Sequence, residues 1–155
     1  MAEAERGLRG LSPYLTVKDG AAALEFYRDA FGAVELFRLT SPEGRIGHAE
    51  MRIGPSTVML SDEWPDFGAL SPATIGGSPV KLHLYVDDAD ALVARAVAAG
   101  ATLLRAVADQ FYGDRSGMIA DPFGHTWFIA TPKEEIAPAE MQRRWSAALG
   151  ATGAA

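Results

Sequence analysis

Two short stretches, Tyr14–Asp19 (YLTVKD) and His83–Asp88 (HLYVDD), decide the fold because they open two copies of one pattern. In each, apolar and polar residues alternate as in a half-buried strand, and an aspartate then precedes an alanine-rich segment with helical spacing. Aspartate is a preferred helix N-cap, and a Gly-Ala pair closes each helical segment, at Gly32 and at Gly100. The chain therefore contains an internal repeat.

Strand-like segments separated by turn residues follow each predicted helix. After the first helix they are Val34–Thr40, Ile46–Ile53 and Thr57–Ser61, and after the second they are Ala101–Ala108, Gly117–Ala120 and Thr126–Ala130. Each half therefore reads βαβββ. A single unit of this kind has open sheet edges and one uncovered apolar face, so we expect the two units to pair.

Proline and glycine mark the boundaries of the two units. The Pro- and Gly-rich stretch 62–79 is typical of a connection without periodic structure. Met141, Trp145 and Leu149 follow helical spacing and predict an amphipathic helix over 136–149. Residues 150–155 are expected to be disordered. The expected organisation is a flexible arm at 1–10, a first module at 11–62, a linker at 63–79, a second module at 80–132 and a C-terminal helix and tail at 133–155.

Composition excludes several functional classes. The chain has 155 residues, a formal net charge of −6 and a pI near 5.0, so its surface is not suited to nucleic-acid phosphates. It has no cysteine, which excludes disulfides and thiolate chemistry. The sequence shows no signal peptide and no apolar run long enough to span a membrane, so we expect a cytoplasmic protein with no membrane partner.

Two further motifs accompany the repeat, Tyr112–Gly117 (YGDRSG) and Asp121–Trp127 (DPFGHTW). Together, over residues 11–135, they resemble the vicinal-oxygen-chelate superfamily, and in particular its PhnB-like branch of glyoxalase/bleomycin-resistance/dioxygenase proteins. The resemblance implies an α+β fold in which two βαβββ modules with curled mixed sheets form a cleft. It also implies a homodimer, with the modules pairing either within one chain or across two.

Metal-dependent members of that superfamily place four ligands in the cleft. By resemblance these positions fall on Ser12, Met59, Lys81 and Phe128. Phenylalanine cannot bind a metal, a protonated lysine has no lone pair to donate, and a thioether is too soft for the hard or borderline metals in question. We therefore expect no metal at the usual site and no cofactor.

Strand alternation predicts which side chains line the cleft. Leu82, Leu84, Val58 and Leu60 should face the helices, and their neighbours should face the opposite side. With loop residues included, the predicted ligand-binding residues are Tyr14, His48, Glu50, Met59, Trp64, Lys81, His83, Tyr85, Tyr112 and Phe128. A soft aromatic lining with a few polar groups is typical of a small-molecule pocket.

Several of these residues allow two interpretations. Glu50 is either a desolvated general base or a solvated strand carboxylate, and His83 is either catalytic or a satisfied strand histidine. Lys81 binds an anion or extends into solvent, and Trp64 covers a ligand or packs on the body. Two nearby expectations are that His125 orients its turn and that Asp114 and Arg115 form an ion pair.

Three functions remain open on the sequence alone. The first is metal-independent binding of a small, aromatic or anionic molecule. The second is an enzyme of lyase, isomerase or dioxygenase type, using a metal held by His48, Glu50 and His83 or acid–base catalysis by Glu50 and His83. The third is a regulatory or subunit role without a ligand.

Overall fold

The computed structural model of the chain describes residues 10–151, so most of the predicted arm and the last four residues lie outside the described part. The first half contains β1 (Tyr14–Val17), α1 (Gly20–Phe31), β2 (Val34–Thr40), β3 (Ile46–Ile53) and β4 (Ser56–Asp62). After α2 (Pro72–Ile75), the second half contains β5 (Lys81–Tyr85), α3 (Ala89–Ala98), β6 (Thr102–Asp109), β7 (Asp114–Ala120) and β8 (Thr126–Pro132). The chain ends in α4 (Pro138–Ala151).

The repeat produces two four-stranded mixed sheets of the same topology. Their strand orders are β1-β4-β3-β2 and β5-β8-β7-β6, and the first and last strands of each module run parallel. No strand of one sheet pairs with a strand of the other in the part of the chain that the structure describes. The predicted βαβββ units and the α+β class are confirmed, and neither sheet closes on itself.

Three of the predicted caps are confirmed, and the fourth is displaced because α3 ends at Ala98 with Ala99 rather than Gly100 as its C-cap. The Asp19 side chain accepts a hydrogen bond from the Ala22 amide at 3.0 Å, and Asp88 accepts one from Ala91 at 3.0 Å. Gly32 ends α1 in the left-handed conformation, with φ of 68°. A second contact repeats as well, because the side chains of Asp62 in β4 and Thr131 in β8 accept the first amides of α1 and α3 at 2.7 and 2.8 Å.

An aromatic cluster joins the two modules. Phe31 of α1 lies 4.8 Å from Trp127 of β8, measured between ring centroids, and Tyr27 lies 5.6 Å from the same ring. The buried Asp121 accepts hydrogen bonds from the Tyr27 hydroxyl at 2.5 Å and from Trp127 Nε1 at 2.9 Å. Since α1 also packs on α3, these two helices form the middle of the molecule, and within the described residues the opposite face of each sheet has no helix packed on it.

Three boundaries differ from the sequence-based expectation. The linker is not without periodic structure, because it contains a 3-10 turn at Pro65–Phe67 and the short helix α2, whose N-cap is Ser71. The C-terminal helix starts later than expected and includes Gly150 and Ala151, which were expected in a disordered tail. No helix within residues 10–151 has the length and apolar character to cross a bilayer.

Candidate functional site

The strand registers define one helix-free face on each sheet. On the first, Tyr14 pairs with Met59 and Met59 with Glu50, so these three side chains share a face. Their chain neighbours Leu15 and Leu60 are buried in the core instead. On the second sheet, the row on the helix-free face runs through His83, Phe128, Met118 and Arg105.

A chain of hydrogen bonds crosses the helix-free face of the first sheet. The Tyr14 hydroxyl lies 2.8 Å from His48 Nδ1, and His48 Nε2 lies 3.1 Å from Glu50 Oε1. One tautomer satisfies this arrangement, with Nε2–H donating to the carboxylate and Nδ1 accepting from the tyrosine O–H. The three groups therefore form a relay from a buried carboxylate to a half-exposed phenol.

Glu50 is not a solvated strand carboxylate. Its side chain is 0% exposed, whereas that of His48 is 23% exposed, and Tyr14 as a whole residue is 51% exposed. Burial makes a charged carboxylate costly unless it is hydrogen-bonded, and the imidazole supplies one such bond. Alternation predicts the face on which Glu50 lies, but the degree of burial depends on tertiary packing.

The helix-free face of the second sheet is aromatic. The ring of His83 stacks on Phe128, with centroids 5.8 Å apart and 24° between the planes, and it lies 4.6 Å from the ring of Tyr85. Tyr85 is 60% exposed. These contacts make a continuous shelf of rings along β5 and β8 to which solvent has access.

Arg105 is the main residue at this face that the sequence analysis missed. Its side chain reaches from β6 across β7, so that Cζ lies 5.5 Å from the centroid of the Phe128 ring. Nη2 donates to Ser116 Oγ at 2.9 Å, and the Tyr112 hydroxyl lies 3.0 Å from the same oxygen. A basic residue in the sixth strand was the available signal, but alternation is interrupted by register shifts on both sides of Arg105.

The predicted ion pair between Asp114 and Arg115 is wrong. Arg115 binds Asp90 with two hydrogen bonds, of 2.7 and 3.0 Å, and lies 3.2 Å from Asp109. These contacts tie β7 to the start of α3 and the end of β6. Asp114 instead lies near Tyr85, where burial first and then the Asp114 carboxylate raise the pKa of the phenol.

The remaining predicted residues lie around the two faces. Met59 and Lys81 are in β4 and β5, on the helix-free sides of their sheets. Trp64 lies in the connection beyond β4, where the Arg45 guanidinium sits 3.9 Å from its ring centroid. His125 does more than orient its own turn, because Nε2 lies 3.1 Å from the Thr16 carbonyl oxygen of the other module.

A family model for the Glyoxalase/Bleomycin resistance protein/Dioxygenase superfamily matches residues 10–129. The chain belongs to this superfamily. An uncharacterized protein of Mycobacterium tuberculosis (Rv0887c) is 47% identical over 139 residues, which cover 88% of this chain and 82% of that one. The crystal structure of an Arabidopsis thaliana gene product (At5g48480) has a TM-score of 0.64 with 32% identity, and the match covers 79% of this chain and 98% of that one.

A third match is the crystal structure of a glyoxalase/bleomycin resistance protein/dioxygenase family enzyme from Burkholderia phytofirmans. Its TM-score is 0.62 with 25% identity, and the match covers 77% of this chain and 94% of that one. The agreement extends over both modules. It supports the superfamily fold and leaves the ligand to be inferred from the residues of this chain.

The four residues that the resemblance assigns to the superfamily's metal positions do not share one sheet. Of the four, Lys81 and Phe128 lie on the second sheet and Met59 on the first, while Ser12 precedes β1. Within residues 10–151, no three His, Asp or Glu side chains come together as a metal site would require. His48 and Glu50 form their pair on the first sheet, whereas His83 lies on the second.

Proposed function

We propose that this protein binds a small, partly aromatic molecule on the helix-free faces of its sheets, without a metal at the superfamily's usual positions. The observation that carries the proposal is the ring shelf of His83, Tyr85 and Phe128. Aromatic rings prefer offset-stacked or edge-on partners and lose water favourably when covered. A shelf of rings left open beside hydrogen-bonding groups has the composition of a ligand site.

Binding of planar aromatic probes tests this proposal. We expect titration with 1-naphthamide and related ring systems to give saturable binding by isothermal titration calorimetry, and Tyr85→Ala to weaken it at least fivefold. Phe67→Ala is the matched control, because Phe67 is 85% exposed and belongs to the 3-10 turn and to neither sheet. Absence of saturable binding across the panel, or equal weakening by both variants, contradicts the proposal.

The metal-free part of the proposal has its own test. Ni²⁺, Zn²⁺, Mn²⁺ and Fe²⁺ should each leave the melting temperature of the metal-stripped protein within about 1 °C of its starting value. A ligand that binds only the folded state raises the melting temperature by mass action, so this measurement would detect a tightly bound metal. A stoichiometric metal with a shift of several degrees would return the site to metal chemistry.

An acid–base enzyme is the second candidate, favoured by the Tyr14–His48–Glu50 relay. Imidazole is the commonest general base in enzymes, and a buried carboxylate that fixes its tautomer is a recurring arrangement. Tyr14 or His48 would exchange a proton with a carbon acid held on the face, and Glu50 would hold the imidazole in place.

Solvent hydrogen exchange distinguishes the two candidates. An enzyme of this kind should catalyse deuterium incorporation beside the carbonyl of α-hydroxy or α-keto compounds in D₂O, followed by proton NMR. Glu50→Gln should then slow exchange at least tenfold while the protein remains folded by circular dichroism. Asp66→Asn, in the exposed 3-10 turn, is the control. No exchange above the protein-free rate across the panel leaves binding as the function.

We also propose that the protein acts as a homodimer. Among residues 10–151, each sheet ends in edge strands with no partner on one side, β1 and β2 in the first sheet and β5 and β6 in the second. The apolar stripe of α4 is partly exposed as well, with Trp145 48% exposed and Leu149 38% exposed. A second copy could cover both kinds of surface and place the two helix-free faces of different chains opposite each other.

A further inference from the structure

The Arg105 guanidinium carries a charge that the described part of the chain does not neutralise. Its hydrogen bond within residues 10–151 goes to a neutral hydroxyl, that of Ser116, and its Nε is buried without a hydrogen-bond partner. Ser116 itself is 0% exposed. A half-buried cation without a counter-ion is costly, because desolvation of the charge is not offset by a nearby negative group.

Several other arginines pair with a carboxylate, whereas Arg45 and Arg95 donate to the backbone carbonyl oxygens of Glu63 and Asp29. Arg115, Arg143 and Arg144 each bind one or two carboxylates through short hydrogen bonds, and Arg38 binds Glu35 in the same way. All four lie outside the ring shelf. Arg105 differs from these in that it lies against the face of Phe128 and has no such carboxylate among the described residues.

The groups around Arg105 suit an oxygen anion. The Tyr112 hydroxyl lies beside the guanidinium, and this half-buried phenol can turn to donate to an anion. The fully buried Ser116 Oγ contacts both groups, at 3.0 Å from the phenol and 2.9 Å from Arg105 Nη2, and so holds them side by side. Lys81 adds a second, exposed cation on the same face. The Asp114 carboxylate lies at the Tyr85 end of the shelf.

The turn between β6 and β7 holds Tyr112 in position. The Gln110 amide donates to the Asp114 carbonyl oxygen at 2.7 Å, and the Gly113 carbonyl oxygen accepts from Lys133 at 2.9 Å and from Glu134 at 3.0 Å. Gln110 Nε2 also donates to the Ser116 carbonyl oxygen at 3.3 Å. The phenol and the serine hydroxyl are therefore positioned by backbone contacts before any ligand arrives, which lowers the entropic cost of binding.

We infer that Arg105 and Tyr112, held together by the buried Ser116, form an oxyanion subsite beside the ring shelf, so that the ligand is a planar aromatic anion such as an aryl carboxylate or phenolate. This inference rests on the proposed binding function and names its ligand class. The ring of the ligand covers Phe128 and His83, and its anionic group receives hydrogen bonds from the guanidinium. Charge-assisted hydrogen bonds to arginine are roughly twice as strong as neutral ones, so the subsite selects for the anion.

Two isosteric probes test the inference in the wild-type protein. We expect 1-naphthoate to bind at least tenfold more tightly than the neutral 1-naphthamide by isothermal titration calorimetry at low ionic strength. Raising the salt concentration should weaken the naphthoate and leave the naphthamide nearly unchanged. Equal affinities for the two probes overturn the oxyanion subsite while leaving the ring shelf intact.

Variants then locate the charge. Arg105→Met should reduce naphthoate affinity at least tenfold and leave naphthamide affinity within about twofold, and Arg105→Lys should recover part of the loss because it keeps the charge. Arg28→Met is the matched control, since that side chain is 63% exposed on α1. If Arg28→Met weakens naphthoate as much as Arg105→Met, the subsite is elsewhere and the inference is wrong.

The proposed function and the subsite fail in different ways. If neither probe binds, both are overturned. If both probes bind equally and Tyr85→Ala weakens both, the binding function stands and the anion subsite does not. If Arg105→Met does not fold, Arg105→Lys and the two-probe comparison in the wild-type protein still decide the question.

Discussion

At the scale of single residues, the buried carboxylate of Asp121 stabilises the fold through several hydrogen bonds at once. Asp121 accepts hydrogen bonds from Tyr27, from Trp127 and from the backbone amides of Phe123 and His125, each amide at 2.9 Å. It thereby fixes its own turn and also joins α1 of the first module to β8 of the second. Burial first and then the Asp121 charge raise the pKa of Tyr27 well above its ordinary value, so the phenol remains a donor.

Replacing Asp121 with alanine should therefore destabilise the protein by about 3 kcal/mol or more, because two buried side-chain donors lose their acceptor. Urea unfolding followed by tryptophan fluorescence measures this. Asp66→Ala, at an exposed aspartate, should change the free energy of unfolding by less than about 0.5 kcal/mol. A similar small effect of Asp121→Ala would mean that the turn holds without its carboxylate.

Glu63 gives a pH dependence with a definite sign. Its carboxylate accepts from the Ser71 amide at 2.7 Å and from the Thr74 hydroxyl, and these bonds lower its pKa from 4.5 to about 2. Because the folded pKa lies below the unfolded one, the stabilisation is fully present above pH 4.5 and is lost as the pH falls toward 2. The connection that holds α2 should loosen in that window.

The Ser71 amide proton reports this change by NMR. Its chemical shift should titrate with a midpoint near pH 2, and Glu63→Gln should remove the titration. A midpoint near 4.5 in the wild-type protein would show that the hydrogen bonds do not favour the charged form.

At the scale of elements, the two modules have the same strand topology but carry different side chains on their helix-free faces. The first sheet carries a hydrogen-bonded relay and the second carries rings beside an arginine. The turn between β6 and β7 is particular to the second module and depends on Gly113, which has φ of +100° and lies against the Glu134 carbonyl oxygen. A Cβ at this position would collide with that oxygen.

Gly113→Ala should accordingly cost well over 2 kcal/mol and should also impair ligand binding, since the turn positions Tyr112. Gly54→Ala is the matched control, because Gly54 has φ of +54° and open space around it, so only the backbone strain of about 1–2 kcal/mol applies there. Equal costs for the two substitutions in urea unfolding would show that the turn can move to accommodate the methyl group.

At the scale of the whole molecule, α1 and α3 lie between the modules, and within residues 10–151 the opposite face of each sheet has no helix packed on it. The edge strands and the stripe of α4 are partly exposed. An apolar groove of about 310 Å³ lies beside α4 and is lined by Phe111, Pro138, Met141, Gln142 and Trp145. In the homodimer proposed above, a second copy of the chain would cover these surfaces, because it has edge strands able to pair with the first copy's and the same apolar stripe on α4.

Light scattering after size exclusion should thus give a mass twice the 16.5 kDa of one chain. Trp145→Ser combined with Leu149→Ser should shift the mass toward one chain at low concentration, because the apolar stripe loses much of its area. Leu11→Ser is the control, as Leu11 is 98% exposed and lies outside the secondary structure. A single-chain mass for the wild-type protein at every concentration would contradict the homodimer.

The sequence by itself determined the repeat, the βαβββ order of each module, the N-caps of α1 and α3 and the face on which the regularly paired strand residues lie. These follow from local chemistry, because alternation, N-cap aspartates and C-cap glycines act within a few residues of one another. Tertiary structure alone decided the burial of Glu50, the joining of the modules through Asp121 and His125, the partners of Arg115 and the position of Arg105. Each of these depends on contacts between residues distant in the chain or on register shifts within a sheet, and no local pattern encodes either.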